Sequence, residues 1–449
     1  VRAGFVSAVP LNARADVAAS ADIRDVDGRK IVWFRIAGGK HHGAIGVGGA
    51  ATVERAVQMA GNLGLPLVGE LDTSGAELRD GVAALHAWGR LARLLVGISG
   101  QVPTLAVVTG ACVSGPALAL GLFDHVVMTE DAFAYVTGPE SVAEFTGVTV
   151  SREQLGGAGM HAARTGVASM VVADELAARD AIAALLAFLP DHHLADPPRH
   201  AVDDSQDRRC ERAATTVPER PSASYDARVV VGDVLDAGSF LELRARYAAN
   251  VVTGLGTLAG RPVGIVANQP SHRAGTLDIE ASRKAARFVA WCDTSNLPLI
   301  TFVDTPGFEP GRDLEWRGMI RHGAELVHAY AAATVPRMCV VLRKAYGGAY
   351  IVMDSRRLGN DFCVAWPGAE IAVMGAAGAV AILNKGRTDP ELVESYRSSF
   401  ENPYRAAERG LVDAVIEPED TRRVLSDALD MLVAKRDAQP ARRHSNTPL

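Results

Sequence analysis

The chain is poor in the residues that mark several large functional classes. Its five cysteines, Cys112, Cys210, Cys292, Cys339 and Cys363, are scattered over 449 residues and none forms a CxxC pair. That spacing speaks against a disulfide framework or structural zinc and for reduced thiols in the cytoplasm. There is no excess of positive charge: the formal net charge is −6, which argues against nucleic acid as the main partner. Lys435, Arg436, Arg442 and Arg443 form the strongest basic run and read as a solvated end. Val1 to Pro10 carries one charge and no long apolar region, unlike a signal peptide. The longest uncharged stretch, Leu94 to Phe123, holds five glycines and two prolines. It therefore reads as strand, turn and buried helix, not as a membrane span. A Walker loop, a GxSxG elbow and a nicotinamide fingerprint are all missing. His41-His42 has no evident third ligand, so no metal site is expected. His161, His322 and His328 read as surface or satisfied histidines.

What the chain does contain is an ordinary soluble α/β composition, 48% hydrophobic and 22% charged, and a duplication. Gly28-Arg29 recurs as Gly260-Arg261, Leu65-Pro66-Leu67 as Leu297-Pro298-Leu299, and Asp72-Thr73-Ser74-Gly75 as Asp304-Thr305-Pro306-Gly307. Each pair lies 232 positions apart (28 to 260, 66 to 298, 72 to 304). A further match, one residue out of step, sets Pro103 against Pro336 and Ser114-Gly115 against Gly347-Gly348. Repetition of a supersecondary unit implies two related domains.

Hydrophobic periodicity fills in both copies. The first is read as a strand at Lys30–Ile36, a helix at Ala51–Leu63, a strand at Leu65–Leu71, a helix at Arg79–Ile98 and strands at Thr104–Thr109 and His125–Met128. The second is read as strands at Pro262–Ala267, Leu299–Val303 and Met338–Leu342, with helices at Ile279–Cys292 and Arg317–Ala333. This alternation favours a layered α/β architecture. Five prolines and mixed charge between Pro190 and Ala227 mark a linker. The expected organisation is a first domain over 1–190, a linker over 191–227 and a second domain over 228–449.

The chemistry is expected at two glycine bends. In Arg343-Lys-Ala-Tyr-Gly-Gly-Ala-Tyr350 a buried strand runs through paired glycines into a helix. Glycine lets the backbone approach a ligand, and the first amides of a helix point outward unpaired. Such donors would stabilise a thioester or ureido oxygen gaining negative charge. The counterpart is Gly110-Ala-Cys-Val-Ser-Gly-Pro116. On spacing alone, tight strand–helix packing explains the glycines equally well. Asp72 and Asp304, at strand ends, read as turn or cap residues. No acid–base constellation emerges.

With these residues in view, the sequence resembles the carboxyltransferase (β) subunit of biotin-dependent acyl-CoA carboxylases of the propionyl-CoA or acetyl-CoA type. The resemblance is carried by GRPVGIVANQP at 260–270, GTLDIEASRKAARFV at 275–289, FVDTPGFEPG at 302–311, RKAYGGAY at 343–350, AVMGAAGAV at 372–380 and NPYRAAERG at 402–410. It implies an α/β fold of two tandem crotonase-like (ClpP/crotonase β-β-α spiral) domains in a homo-oligomer, a hexamer whose active unit is a dimer. It also implies carboxyl transfer through an acyl-CoA enolate, with acyl-CoA on the first domain and biotin on the second. Biotin would arrive on a biotin carboxylase or biotin carboxyl carrier protein partner, coenzyme A would form part of the substrate, and no metal, nucleic acid or membrane would take part. By motif, Gly348 and Ala349 would form the oxyanion hole on the biotin side, flanked by Tyr346, Gly347, Pro306 and Gly307. Ser114 and Gly115 would form the hole for the thioester, with Gly75, Gly138 and Ile351 lining the substrate. Many propionyl-specific members have Asp where Ile351 stands.

The first half matches the family at Thr137-Gly-Pro-Glu140, Leu155-Gly-Gly-Ala158, His161 and Thr165-Gly-Val-Ala168, and departs from it elsewhere. Glu77 stands where the family has Arg, Gly43-Ala44-Ile45-Gly46 replaces a Gly-Gly-Ser-Leu-Gly turn, Ser114 replaces a glycine, and Pro116 removes an N–H. Roughly seventy residues that usually precede the first domain are expected to be missing. These changes fall on the acyl-CoA side and imply an unusual acceptor. Two further readings stand beside carboxyl transfer: a biotin-independent decarboxylase of a malonyl-type thioester, and a non-catalytic subunit of the same assembly.

Overall fold

The computed structural model describes residues 5–10, 18–441, 443, 446 and 448. Val1–Gly4 and Arg442, named above for the leader and the basic tail, lie outside them. The chain divides into two units, one of residues 1–198 and 244–247, the other of 199–243 and 248–449.

The first unit is built on one sheet of β1 (Phe5–Pro10), β2 (Ala19–Val26), β3 (Arg29–Ile36), β4 (Leu67–Thr73), β5 (Thr104–Val113), β6 (His125–Thr129), β7 (Phe133–Tyr135) and β8 (Met170–Val172). Its order is β1-β2-β3-β4-β5-β6-β8, with β7 paired to the far end of β5. β1 to β3 are antiparallel neighbours and the rest run parallel. β3 is buried on both faces: Val32, Phe34 and Ile36 face a core with Val53, Val57, Leu91 and Leu95, and Ile31 and Trp33 are buried on the other side. The helix Val47–Leu63 buries Ala50, Val53, Val57 and Ala60, one stripe at helical spacing. It stops at Gly64, whose φ of 64° is left-handed.

The second unit repeats the plan. Its strands are β9 (Leu241–Leu243), β10 (Val251–Leu258), β11 (Arg261–Asn268), β12 (Leu299–Thr305), β13 (Arg337–Tyr346), β14 (Phe362–Ala365), β15 (Glu370–Ala372) and β16 (Ala414–Val415). The order is β16-β14-β13-β12-β11-β10-β9, with β15 paired to the far end of β13. Phe302, Val340, Val364, Trp366 and Leu425 are central to its core. Fully burying one such side chain contributes about 1.5–3 kcal/mol.

The duplication reaches individual hydrogen bonds. Thr73 Oγ1 accepts the Gly75 N–H at 3.1 Å, Ile45 N–H donates to Gly75 O at 2.8 Å, and Glu77 N–H to Ile45 O at 3.0 Å. In the second unit Thr305 Oγ1 accepts the Gly307 N–H at 3.4 Å, Leu277 N–H donates to Gly307 O at 3.1 Å, and Glu309 N–H to Leu277 O at 2.9 Å. All four residues of one set map onto the other by the offset read from the sequence.

The read strands and helices are present, displaced by a few residues at their ends. Leu94–Phe123 is the end of a helix, β5 and the short helix Gly115–Ala119, as expected. The linker differs. Residues 199–227 belong to the second unit, where Cys210, Ala213 and Tyr225 enter its core. Arg208 there pairs with Asp204 at 2.7 Å and Asp233 at 3.3 Å. A few anchoring residues diluted among prolines and charges gave no periodic signal. Nor is Lys435 a solvated end: it pairs with Asp361 at 3.0 Å.

Because each threonine hydroxyl serves a backbone amide, buried at Gly75 and partly buried at Gly307, Thr73→Val and Thr305→Val should each destabilise by about 1–3 kcal/mol. Urea unfolding should show the loss at both positions; a neutral effect at either would mean the two bridges are not equivalent.

Candidate functional site

Both bends begin with an interrupted strand. In the first unit β4 and β5 stay in register from Leu67↔Thr104 to Leu71↔Val108, then resume at Thr73↔Cys112. Thr109, Gly110 and Ala111 thus bulge opposite the single residue Asp72. Its Oδ1 accepts the displaced Ala111 N–H at 3.0 Å. In the second unit the register breaks between Val303↔Val341 and Thr305↔Ala345, and Asp304 Oδ1 accepts the Lys344 N–H at 3.1 Å. An unpaired buried amide would cost roughly 1–3 kcal/mol, so these carboxylates make the bulges possible. The two aspartates, expected as ordinary turn residues, are bulge anchors.

The support around them differs. Asp304 is buried, and Arg343 Nε donates to its Oδ2 at 3.0 Å. Burial pushes the Asp304 carboxyl upward, and the guanidinium pulls it back. Arg343 also donates to Ala223 O at 2.9 Å and lies over the Tyr225 ring at 5.3 Å. Lys344 Nζ donates to Pro221 O at 2.5 Å. In the first unit Gly110 takes the place of Arg343, and a Cβ there would sit 2.4 Å from Asp72 Oδ1. Only glycine fits.

Past its bulge each strand ends in the bend. In the second unit Tyr346 caps the helix Gly347–Val352. Gly347 has a φ of 58°, and a Cβ there would meet Val373 O at 3.1 Å, so both conformation and space call for glycine. Gly348 and Ala349 follow as first-turn residues, and no protein acceptor for their N–H groups is found among the described residues. Phe308, just after Pro306-Gly307, lies against Gly348. The predicted group Tyr346, Gly347, Gly348, Ala349, Pro306 and Gly307 is therefore brought together. Ile351 follows on the same helix, half exposed. A cavity of about 310 Å³ is lined by Tyr346, the residue before the bend, with Lys344, Glu370, Met374, Arg397 and Glu401; Gly347, Gly348 and Ala349 are not part of its lining.

In the first unit Gly75, Ser114, Gly115 and Gly138 also cluster. A Cβ on Gly75 would meet Ser114 Cβ at 3.4 Å, and one on Gly138 the Tyr135 ring at 3.6 Å. Trp88 packs on Gly115. One expectation is corrected: the Ser114 N–H is taken by Tyr135 O at 3.0 Å, so it is not a free donor. Pro116 has no N–H, which leaves Gly115 as the outward amide of that bend. Ser114 also holds φ 63°, ψ −127°, a conformation suited to glycine that costs a larger residue about 1–3 kcal/mol. Glu77 is engaged locally, accepting from Arg79 N–H at 3.1 Å and pairing with His41 Nδ1 at 2.8 Å. These contacts, the Arg79 amide first, hold its carboxyl below the usual range.

Comparison with known proteins decides the family. The Carboxyl transferase domain model matches residues 11–447. The chain belongs to the carboxyl transferase family. This carboxyltransferase is 44% identical to the carboxyltransferase subunit of propionyl-CoA carboxylase from Haloferax mediterranei, over 95% of this chain and 84% of that one. It is 39% identical to the alpha subunit of methylmalonyl-CoA decarboxylase from Propionigenium modestum, over 94% and 84%. Among solved structures it resembles transcarboxylase 12S, a hexamer crystallised with methylmalonyl-CoA and methylmalonic acid. The TM-score is 0.94 at 38% identity, covering 100% of this chain and 90% of the other. The expected fold, two tandem crotonase-like domains, is borne out.

Residues that the sequence reading passed over are Arg343, Glu370, Glu401, Trp88 and Phe308. Arg343 had a signal, as the opposite charge to Asp304 one strand away; the others had none.

Replacing Arg343 by Ala leaves Asp304 buried without its cation. The folded carboxyl then rises further above its unfolded value, so the folded state prefers the proton. Destabilisation should be largest at high pH, about 3–5 kcal/mol at pH 8, and smaller at pH 5, where protonation relieves it. Urea midpoints of both proteins at the two pH values check this; a pH-independent difference would rule it out.

Proposed function

We propose that this carboxyltransferase moves a carboxyl group from biotin, carried on a separate carrier protein, to the α-carbon of an acyl-CoA. The observation that carries the reading is the second-unit bend, where Gly348 and Ala349 open a helix and no protein acceptor for their amides is found among the described residues. That pair fits an oxygen acceptor such as the ureido oxygen of biotin. When bound, biotin supplies the carboxyl group and the nitrogen chemistry of its transfer. The chain's own part is electrostatic. Gly348 and Ala349 N–H would hold the ureido oxygen, and Gly115 N–H the thioester oxygen as the α-carbon loses its proton. Donors aimed in advance at developing charge contribute about 2.7–4 kcal/mol each. These donors stabilise charge and take up no proton; with no side-chain base in the sequence, the α-proton would pass to the biotin nitrogen that gives up the carboxyl group.

The acyl side is the weaker hole, one outward amide where the biotin side has two. Together with Ile351 this favours an acceptor other than propionyl-CoA. Partners would be a biotin carboxylase and a biotin carrier; the assembly would be a hexamer, like that of transcarboxylase 12S, with the dimer as its active unit. The cytoplasm suits five buried free thiols and the absence, among the described residues, of a helix long and apolar enough to cross a membrane.

With biotinylated carrier, biotin carboxylase, ATP and bicarbonate, the protein should carboxylate a short acyl-CoA. No product from acetyl-, propionyl- or butyryl-CoA would count against the reading. Loss of CO₂ from malonyl-CoA without biotin would point to decarboxylation, and absence of CoA-thioester binding by calorimetry to a non-catalytic subunit. Gly348→Val should lower transfer by about 10²-fold or more while the protein stays folded. A Cβ there meets the Phe308 ring at 3.5 Å, an ordinary contact. Near-normal turnover in that variant would remove the donor assignment.

A further inference from the structure

We propose that Glu401 is a positioning residue for the biotin-side bend: through the Tyr346 hydroxyl it fixes Tyr346, Gly347 and Gly348 against the start of the helix Ala376–Leu383. The inference rests on the reading of that bend as the biotin-side donor. Glu401 follows the helix Pro390–Phe400 and is 3% exposed. Its Oε1 accepts the Tyr346 O–H. Its Oε2 accepts the Ala376 N–H at 3.1 Å and lies 3.7 Å from Arg397 Nε. One carboxylate thus ties the residue before the bend to the first amide of a neighbouring helix.

The packing follows the same line. The Tyr346 ring lies on Gly375, where a Cβ would be 3.5 Å from Cε2. The opposite side of the bend approaches Val373 O through Gly347. Tyr346 Oη also lies beside Glu370 Oε2 on β15, the strand paired with β13, so its single proton is shared between two carboxylates and goes to one of them at a time. Burial and then the two carboxylates push the phenol far above its ordinary value, so it remains a donor. Lys344 and Arg397 line the same cavity.

The duplication supplies an internal control. Strand pairing sets Ala111↔Phe133 and Val113↔Tyr135 in the first unit against Lys344↔Glu370 and Tyr346↔Ala372 in the second. Val113 and Phe133 therefore occupy the places of Tyr346 and Glu370. The same framework closes there without a phenol or a carboxylate. Apolar contacts tolerate sliding, whereas hydrogen bonds are directional and hold their partners in a narrow range of geometry. Two amides that must converge on one oxygen require aim to about 0.5 Å, and the bend with two outward amides is the one that has the network.

The test compares wild type with Tyr346→Phe, Glu401→Ala, Glu401→Gln and the double variant Tyr346→Phe/Glu401→Ala. The biotinylated carrier and acyl-CoA are varied separately, and hydrogen exchange is followed at the amides of 347–349. Tyr346→Phe and Glu401→Ala should each lower kcat/KM for the carrier by about tenfold, with KM for acyl-CoA changed less than about twofold. Glu401→Gln should restore most of the loss, since its amide oxygen still accepts the Ala376 N–H. The double variant should be no worse than the poorer single one. Exchange at 347–349 should accelerate in Glu401→Ala. Equal losses on both substrates, additive losses, or unchanged exchange would overturn the inference. Failure of wild type to transfer a carboxyl group to any acceptor would instead defeat the transfer reading. The exchange comparison would then decide by itself whether Glu401 holds the bend.

Discussion

A carboxylate accepting a backbone amide inside a strand bulge underlies the arrangement in each unit. Asp72 and Asp304 sit where β5 and β13 each fit extra residues against β4 and β12. Without an acceptor the bulged amide would be buried and unpaired, and the strand would do better to keep its register. With one, the strand swings out of the parallel ladder, pairs its far end with β7 or β15, and delivers its last residues to the start of a short helix. The threonine that follows each aspartate pins the neighbouring loop. The bend is thus reached from two sides by hydrogen bonds, and its glycines are fitted to the space left over.

On that common frame the two units have diverged in how polar they are. The second neutralises its bulge aspartate with a guanidinium and surrounds its bend with a phenol and two glutamates. The first puts Gly110 beside Asp72 and Val113 and Phe133 beside its bend, spends the Ser114 amide on Tyr135 O, and has Pro116 where an N–H would be. Two outward amides against one is a difference in the charge each bend can stabilise. On the proposed reading, the difference falls on the acyl side.

Much of this was legible in the sequence because the informative features are local. The offset between Gly28 and Gly260, the Asp-Thr-x-Gly repeats and the paired glycines fixed the duplication and the bends. Apolar runs in β3, β12 and β13 marked buried strands because both faces are buried. What stayed hidden depends on contacts between distant segments. Residues 191–227 looked like a linker because Cys210, Ala213 and Tyr225 are too few to make a period. Ser114 was expected as a donor because sequence cannot show that Tyr135 O lies within reach of its amide. Glu401 is 55 residues from Tyr346, and nothing in NPYRAAERG or the helix before it announces a link to the bend.

The central claim is that main-chain amides, not an ionisable side chain, meet the negative charge of the reaction. A crystal structure with biotin and a non-reactive acyl-CoA analogue tests it most directly. The account expects the ureido oxygen within about 2.7–3.1 Å of Gly348 and Ala349 N, and the thioester oxygen equally close to Gly115 N. Ligand oxygens held instead by side chains, or bound away from both bends, would contradict it.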